Sequence, residues 1–228
     1  MKRLFHRVIL LLLLAVSPAA LALEVRFLAW DEQVAARPIA VPAGQGESAI
    51  KGLHPLQRSE GLEVAPAGGA ITLRALDRQD TAGMPVDFAV KMPGNLTRPL
   101  VLLLPDAKAA GGLRGHAIED DSDSFPWGTF RFINATGKSL EVTFGTTRKP
   151  LPPGWQPVDL RPGGENALPV SLSGAEPPKT PLYTGVWKPE NEVRRLVFVV
   201  PGTEPRLGPL ALKVILEDRR SLAAAAAP

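Results

Sequence analysis

The residues best suited to binding chemistry are four tryptophans, each with an aspartate, glycine or proline within two positions, as is typical of strand ends and turns. They are Trp30, Trp127, Trp155 and Trp187. An exposed tryptophan ring can stack on a sugar ring or receive a side chain from a protein partner. Tryptophan also fills the cores of β-sandwiches, which is the commoner use for any one of them. The four are therefore candidate ligand-binding residues, with core packing as the alternative.

Metal-binding chemistry has one candidate, the polar run Glu119–Ser124. Asp121 and Asp123 supply the hard oxygen ligands that Ca²⁺ prefers. Counted from Asp121, however, the sixth position is not glycine and the twelfth is Phe132 instead of a bidentate glutamate. We therefore expect this run to be a solvated linker, and we expect no metal or other cofactor.

Groups for covalent or acid–base catalysis are scarce. There is no cysteine, and His54 and His116 have no partner at a metal-ligand spacing. The segment Gly46–Ser48 lacks the closing glycine of a nucleophile elbow, and Asp80–Gly83 carries an alanine that an aspartic-protease signature would not have. A carboxylate of the pair Asp31–Glu32 could serve glycoside hydrolysis only if folding brought a second acid near it. We expect no enzymatic activity, with a hydrolase as the third hypothesis.

The amino-terminal segment predicts export from the cell. Three basic residues precede an apolar run from Val8 to Val16, and small residues end at Ala22. This is the pattern of a signal peptide cleaved after Ala22, so residues 1–22 are assigned to it. We expect the mature protein in the periplasm or outside the cell.

Charge and hydropathy exclude two classes of partner for the mature chain. Three of the 26 basic residues lie in residues 1–22 and none of the 23 acidic ones does, so 23 of each sign remain. Without an excess or a run of basic residues, nucleic acid is not an expected partner. No later segment approaches 18 continuous apolar residues, so the mature chain should contain no transmembrane segment.

These residues should be positioned by short strands. The 24 prolines and 21 glycines interrupt the chain at short intervals, and apolar residues nowhere recur with a helical period before the carboxyl terminus. The class is predicted to be all-β. Leu100–Leu104 and Leu196–Val200 are apolar at every position, which indicates central strands covered on both faces. The other predicted strands are Val25–Leu28, Ile71–Arg74, Val86–Val90, Thr129–Ile133, Leu140–Phe144 and Leu210–Leu216.

The order of these runs suggests two similar halves. Each apolar central run stops at a proline and is followed by a glycine-containing turn and another strand that ends in two acidic residues. We predict a first β-sandwich unit over residues 23–120 and a second over residues 121–220. Residues 221–228 are alanine-rich and should form a low-complexity tail that is either disordered or a frayed helical turn.

Turn chemistry gives the chain a resemblance to known proteins. The segments Val25–Leu28, Phe130–Lys138 and Leu151–Gly154 combine strands with an Asn-Ala-Thr-Gly turn and a Pro-Gly turn. This pattern resembles uncharacterised exported bacterial proteins built from tandem immunoglobulin-like β-sandwich units. The resemblance implies a bacterial cell envelope setting and a sandwich fold, and it carries no catalytic residues.

These observations favour an exported, non-enzymatic structural or interaction module of the cell envelope, with an unidentified protein or glycan as its partner. Carbohydrate binding is the first alternative, and it requires at least two of the four tryptophans to be exposed on one face. The hydrolase hypothesis requires two acids that converge in a cleft.

Overall fold

The computed structural model describes residues 22–44, 46–176 and 180–225. Almost all regular structure in this part of the chain is strand, which confirms the all-β class. Residues 1–21, and with them nearly all of the predicted signal peptide, lie outside the described residues. The signal peptide and export therefore stay predictions.

The first unit is a sandwich of two four-stranded sheets. One sheet has the order β4-β1-β7-β8 and the other the order β3-β2-β5-β6. A short helix, α1 (Glu32–Ala35), connects β1 to β2. The strands are β1 Leu23–Ala29, β2 Ile39–Ala43, β3 Gly46–Ala49, β4 Leu62–Val64, β5 Ala70–Gln79, β6 Pro85–Lys91, β7 Pro99–Pro105 and β8 Leu113–Glu119.

The second unit repeats this topology strand for strand. Its sheets have the orders β12-β9-β15-β16 and β11-β10-β13-β14, and β9 lies parallel to β15 as β1 lies parallel to β7. The predicted pair of β-sandwich units is thus confirmed. The strands are β9 Phe130–Asn134, β10 Leu140–Phe144, β11 Thr147–Leu151, β12 Pro157–Leu160, β13 Leu168–Gly174, β14 Pro181–Trp187, β15 Val193–Pro201 and β16 Leu210–Asp218.

The two continuously apolar runs form central strands, as predicted. β7 lies between β1 and β8, and β15 lies between β9 and β16. Both are buried along most of their length on both faces. In each strand, one face packs into the core of its own sandwich and the other packs against the other unit.

A third apolar core lies between the units. It forms where the sheet that contains β7 packs against the sheet that contains β15. Its buried members are Leu28, Leu100, Leu102, Leu104 and Ile118 from the first unit, Phe125 from the connection, and Ile133, Leu196, Phe198 and Ile215 from the second unit. We call this set the shared core. Because its side chains come from both sandwiches, the units are packed against each other.

The connection between the units is not simply a solvated linker. β8 ends at Glu119, and the next residue, Asp120, is only 2% exposed. Its carboxylate accepts hydrogen bonds from Arg26 at 2.6 Å and from Arg58 at 2.7 and 2.8 Å. The linker prediction is therefore wrong for Asp120, because charged partners distant in sequence satisfy it inside the protein.

The carboxyl terminus is helical as far as it is described. Residues Arg219–Ala225 form helix α2 directly after β16. The carboxylate of Asp218 accepts a hydrogen bond from the backbone N–H of Arg220, which satisfies one free donor at the helix start. Alanine has the highest helix propensity, so the run that reads as low complexity also favours a helix. Residues 226–228 lie outside the described residues.

Candidate functional site

Two of the four candidate tryptophans meet at the edge of the shared core. Trp30 follows β1, and Trp155 lies in the turn between β11 and β12. Their ring centroids are 5.8 Å apart in an edge-to-face arrangement, and Trp30 also contacts buried Phe198 in this way. The pair therefore joins the two units.

Other side chains pack against both rings of this pair. The Lys213 ammonium lies 5.7 Å from the Trp30 ring centre, and the Arg114 guanidinium lies 5.7 Å from that of Trp155. His116 packs 5.5 Å from Trp155, and its burial, together with the charge of Arg114, lowers its pKa. The two half-buried rings thus resemble packing residues more than an open sugar platform.

Trp127 lies apart from this pair, beside the buried charges of the junction. The Arg194 guanidinium is 5.0 Å from its ring centre. Arg194 in turn donates to the backbone carbonyls of Asp120 and Phe125. Trp127 therefore covers the ionic network.

Trp187 is the candidate that borders an open groove. Its ring stacks on Phe132 at a centroid distance of 5.9 Å and an interplanar angle of 7°. The indole N–H of Trp187 donates to the hydroxyl of Tyr183 at 3.2 Å. Stacking and hydrogen bonding together hold both rings in place on β14, where they form one wall of the groove.

The groove runs along the side of the second sandwich, between β14 and β16. It has a volume of about 610 Å³. Within the described residues, β14 pairs only with β13 and β16 only with β15, so each strand has a free backbone edge. The lining residues are Tyr183, Trp187, Lys188, Glu190, Arg195, Leu212, Val214 and Leu216.

The corresponding side of the first unit is closed. There β6 lies so close to β8 that a Cβ added to Gly115 would be 2.3 Å from a methyl group of Val90. The strand pairings make Gly115 equivalent to Leu212, and Val90 equivalent to Gly185. Glycine on β8 thus allows the contact that closes the first sandwich.

In the second unit, the large and the small residue of this pair have changed places. β16 carries the large side chain of Leu212, and β14 carries Gly185. The Tyr183 and Trp187 rings cover Gly185, since a Cβ added there would be 2.8 Å from the Tyr183 hydroxyl and 3.3 Å from the Trp187 indole nitrogen. Aromatic and aliphatic side chains therefore line the opening, instead of a direct contact between the two strands.

One end of the groove is charged. Arg195 lies opposite Leu216 in the β15–β16 pair, and Lys188 follows the last residue of β14. The Arg195 guanidinium donates to Glu190, and Lys188 forms no ion pair among the described residues. Among the residues that line the groove, two basic groups and one acidic group lie at this end, which is an excess of one positive charge.

The remaining sequence candidates do not assemble into a site. Asp121 is half-buried and Asp123 is exposed, and the described residues contain no group of three or more acidic or histidine side chains that could hold a metal ion. Asp31 accepts a hydrogen bond from the backbone N–H of Val34 at 2.8 Å, so it caps α1. Its carboxylate therefore has a structural partner.

Of the groove residues, sequence reasoning identified only Trp187. The available signal was the alternation of Leu210, Leu212, Val214 and Leu216 along β16, which predicts one apolar face of a strand. That pattern is the same whether the face is covered or open. Only the position of β14 shows that it borders an opening.

Comparison with protein-family models finds no match, and comparison with curated proteins finds none either. Among the residues that the structure describes, no helix has both the length and the apolar character needed to cross a membrane.

Proposed function

We propose that the protein is a non-enzymatic interaction module of the bacterial cell envelope that binds an extended polypeptide segment in the groove between β14 and β16. The observation that carries this proposal is the combination of an apolar groove with two free strand edges beside it. A free edge offers unpaired N–H and C=O groups, which an added strand can satisfy.

The side chains of the groove suit such an occupant. In an extended segment, alternate side chains point to one face. Leu212, Val214 and Leu216 are themselves spaced by two along β16, so they can contact alternate apolar side chains of the segment. Tyr183 and Trp187 add large, rigid apolar surfaces of the kind that dominate protein interfaces.

Carbohydrate binding has weaker support. That alternative requires at least two tryptophans exposed on one face. Trp30 and Trp155 are neighbours, but they pack against each other and against charged side chains. Trp127 and Trp187 lie in two other places, so no planar platform of several rings is formed by the four residues.

The proposal is tested with a library of neutral synthetic peptides of about eight residues. Apolar residues alternate with threonine, and both termini are blocked. We expect individual peptides to bind the chain that lacks residues 1–22, as measured by fluorescence polarisation. The variant Leu216→Arg should lose this binding, because it places a charge at a groove position that is 56% exposed and so tolerates the change.

Val186→Arg provides the matched control. Val186 is 70% exposed on β14 but does not line the groove. This variant receives the same new charge and should keep its affinity. The proposal is wrong if no peptide binds, or if peptides bind both variants equally well. Binding of a polysaccharide that protects tryptophan fluorescence from quenching would instead support the carbohydrate alternative.

A further inference from the structure

We infer that the bound segment carries an acidic residue at its amino-terminal end, which meets Arg195 and Lys188. This inference rests on the proposed function, and it assigns a direction and a charge to the ligand. It follows from the placement of basic groups at one end of the groove and from the direction of the two strands that border it.

The two edge strands run in the same direction. Near the start of both, a Cβ on Gly208 would be 3.6 Å from the backbone oxygen of Leu182. Near the end of both, Glu190 pairs with Arg195, which lies opposite Leu216. The basic groups of the groove therefore lie at the end where both strands finish.

Because the two strands share a direction, the choice between antiparallel and parallel pairing sets the polarity of the ligand. A segment added to the free edge of either strand is antiparallel to both strands or parallel to both. Antiparallel pairing is slightly more stable per residue. The amino-terminal end of an antiparallel segment lies where β14 and β16 finish, which is the end that holds Lys188 and Arg195.

The charges at this end favour an anionic group. Lys188 is exposed and forms no ion pair among the described residues. Arg195 lines the same end, where it donates to Glu190 through Nη2 and its guanidinium lies 4.9 Å from the ring centre of Phe130. A carboxylate of the ligand can accept a charge-assisted hydrogen bond from Lys188, which is stronger than a neutral one, and it is also attracted by the positive charge of Arg195.

The test uses the neutral peptide library described above in three extended forms. One form adds an amino-terminal Asp, one adds an amino-terminal Asn, and one adds a carboxyl-terminal Asp. We expect the form with amino-terminal Asp to bind about tenfold more tightly than the other two, with a difference that shrinks as salt is added. Lys188→Gln and Arg195→Gln should reduce this preference.

Lys138→Gln is the matched control, because Lys138 is exposed in the turn between β9 and β10 and does not line the groove. It should leave the preference unchanged. Equal binding of the three forms would overturn this inference and leave the proposed function standing. Absence of binding by every form would overturn both. If Arg195→Gln fails to fold, Lys188→Gln and the three peptides on the unchanged protein still decide the question.

Discussion

Asp120 is the residue on which guanidinium groups from both units converge. Arg26 and Arg58 come from the first unit and Arg194 from the second. Glu217 is the second acid of this network and pairs with Arg26 and Arg194. Three buried or half-buried cations thus depend on two carboxylates.

Replacement of Asp120 by asparagine should lower the free energy of unfolding by about 3–5 kcal/mol, because it leaves buried cations without one of their partners. Urea denaturation measures this change. Asp87→Asn is the control, since Asp87 makes the same two-point contact with Arg74 at the surface. Surface pairs contribute little, so this variant should be nearly as stable as the original protein. Equal losses in the two variants would contradict the importance of the buried network.

The same carboxylate predicts how stability depends on pH. Burial alone would raise the pKa of Asp120, but the positive charges of Arg58, Arg194 and Arg26 outweigh it and hold the pKa below its ordinary value. Its contribution is therefore present above about pH 4, the range of the unfolded pKa, and is lost as the pH falls through the lower folded pKa. Unfolding measured between neutral and acidic pH should show a smaller acid-induced loss for Asp120→Asn than for the original protein. An identical loss would contradict this assignment.

Individual residues show why the sequence predicts part of the site only. A tryptophan near a turn is visible in the sequence, but whether it packs or borders a groove depends on residues far along the chain. Arg26 and Glu217 are separated by 191 positions, and no local pattern indicates that they pair. The polar run that begins at Glu119 therefore predicts a linker, because the sequence does not show the arginines that pair with Asp120.

At the scale of elements, the sequence predicts strands best where they are apolar and uninterrupted. All nine predicted runs, including the one that follows the first central run, overlap strands, namely β1, β5, β6, β7, β8, β9, β10, β15 and β16. Most of the remaining strands contain proline or glycine, as do the two edge strands β11 (Thr147–Leu151) and β14 (Pro181–Trp187). Such edge strands are held by their neighbours, and their own propensities do not indicate them.

Gly115 tests whether the contact between β6 and β8 closes the first sandwich. A methyl group at this position meets Val90, so Gly115→Ala should lower the free energy of unfolding by about 1–3 kcal/mol. Gly94→Ala is the control, because a Cβ there has no atom within 4 Å. In the double variant with Val90→Ala, the smaller side chain makes room, so urea denaturation should show less destabilisation than the sum of the two single variants. Simple additivity would contradict a direct clash.

At the scale of the whole molecule, the shared core should make the two units unfold as one. Its members come from both central strands, so separation of the units would expose large apolar side chains to water. Scanning calorimetry should therefore show one transition, with equal calorimetric and van't Hoff enthalpies. The sequence suggests two halves, but it gives no sign of this coupling, because a strand apolar on both faces does not reveal what covers the second face.

Substitutions of two phenylalanines distinguish the coupling between the units from the stability of one unit. Phe198 belongs to the shared core and Phe144 to the second unit's own core, and both are buried. Either change to alanine should cost about 3–5 kcal/mol. Phe198→Ala weakens the contact between units, so its calorimetric transition should broaden or split, whereas Phe144→Ala should keep one transition at a lower temperature. The reverse result would mean that the interface between the sandwiches does not couple them, and that each unit folds on its own.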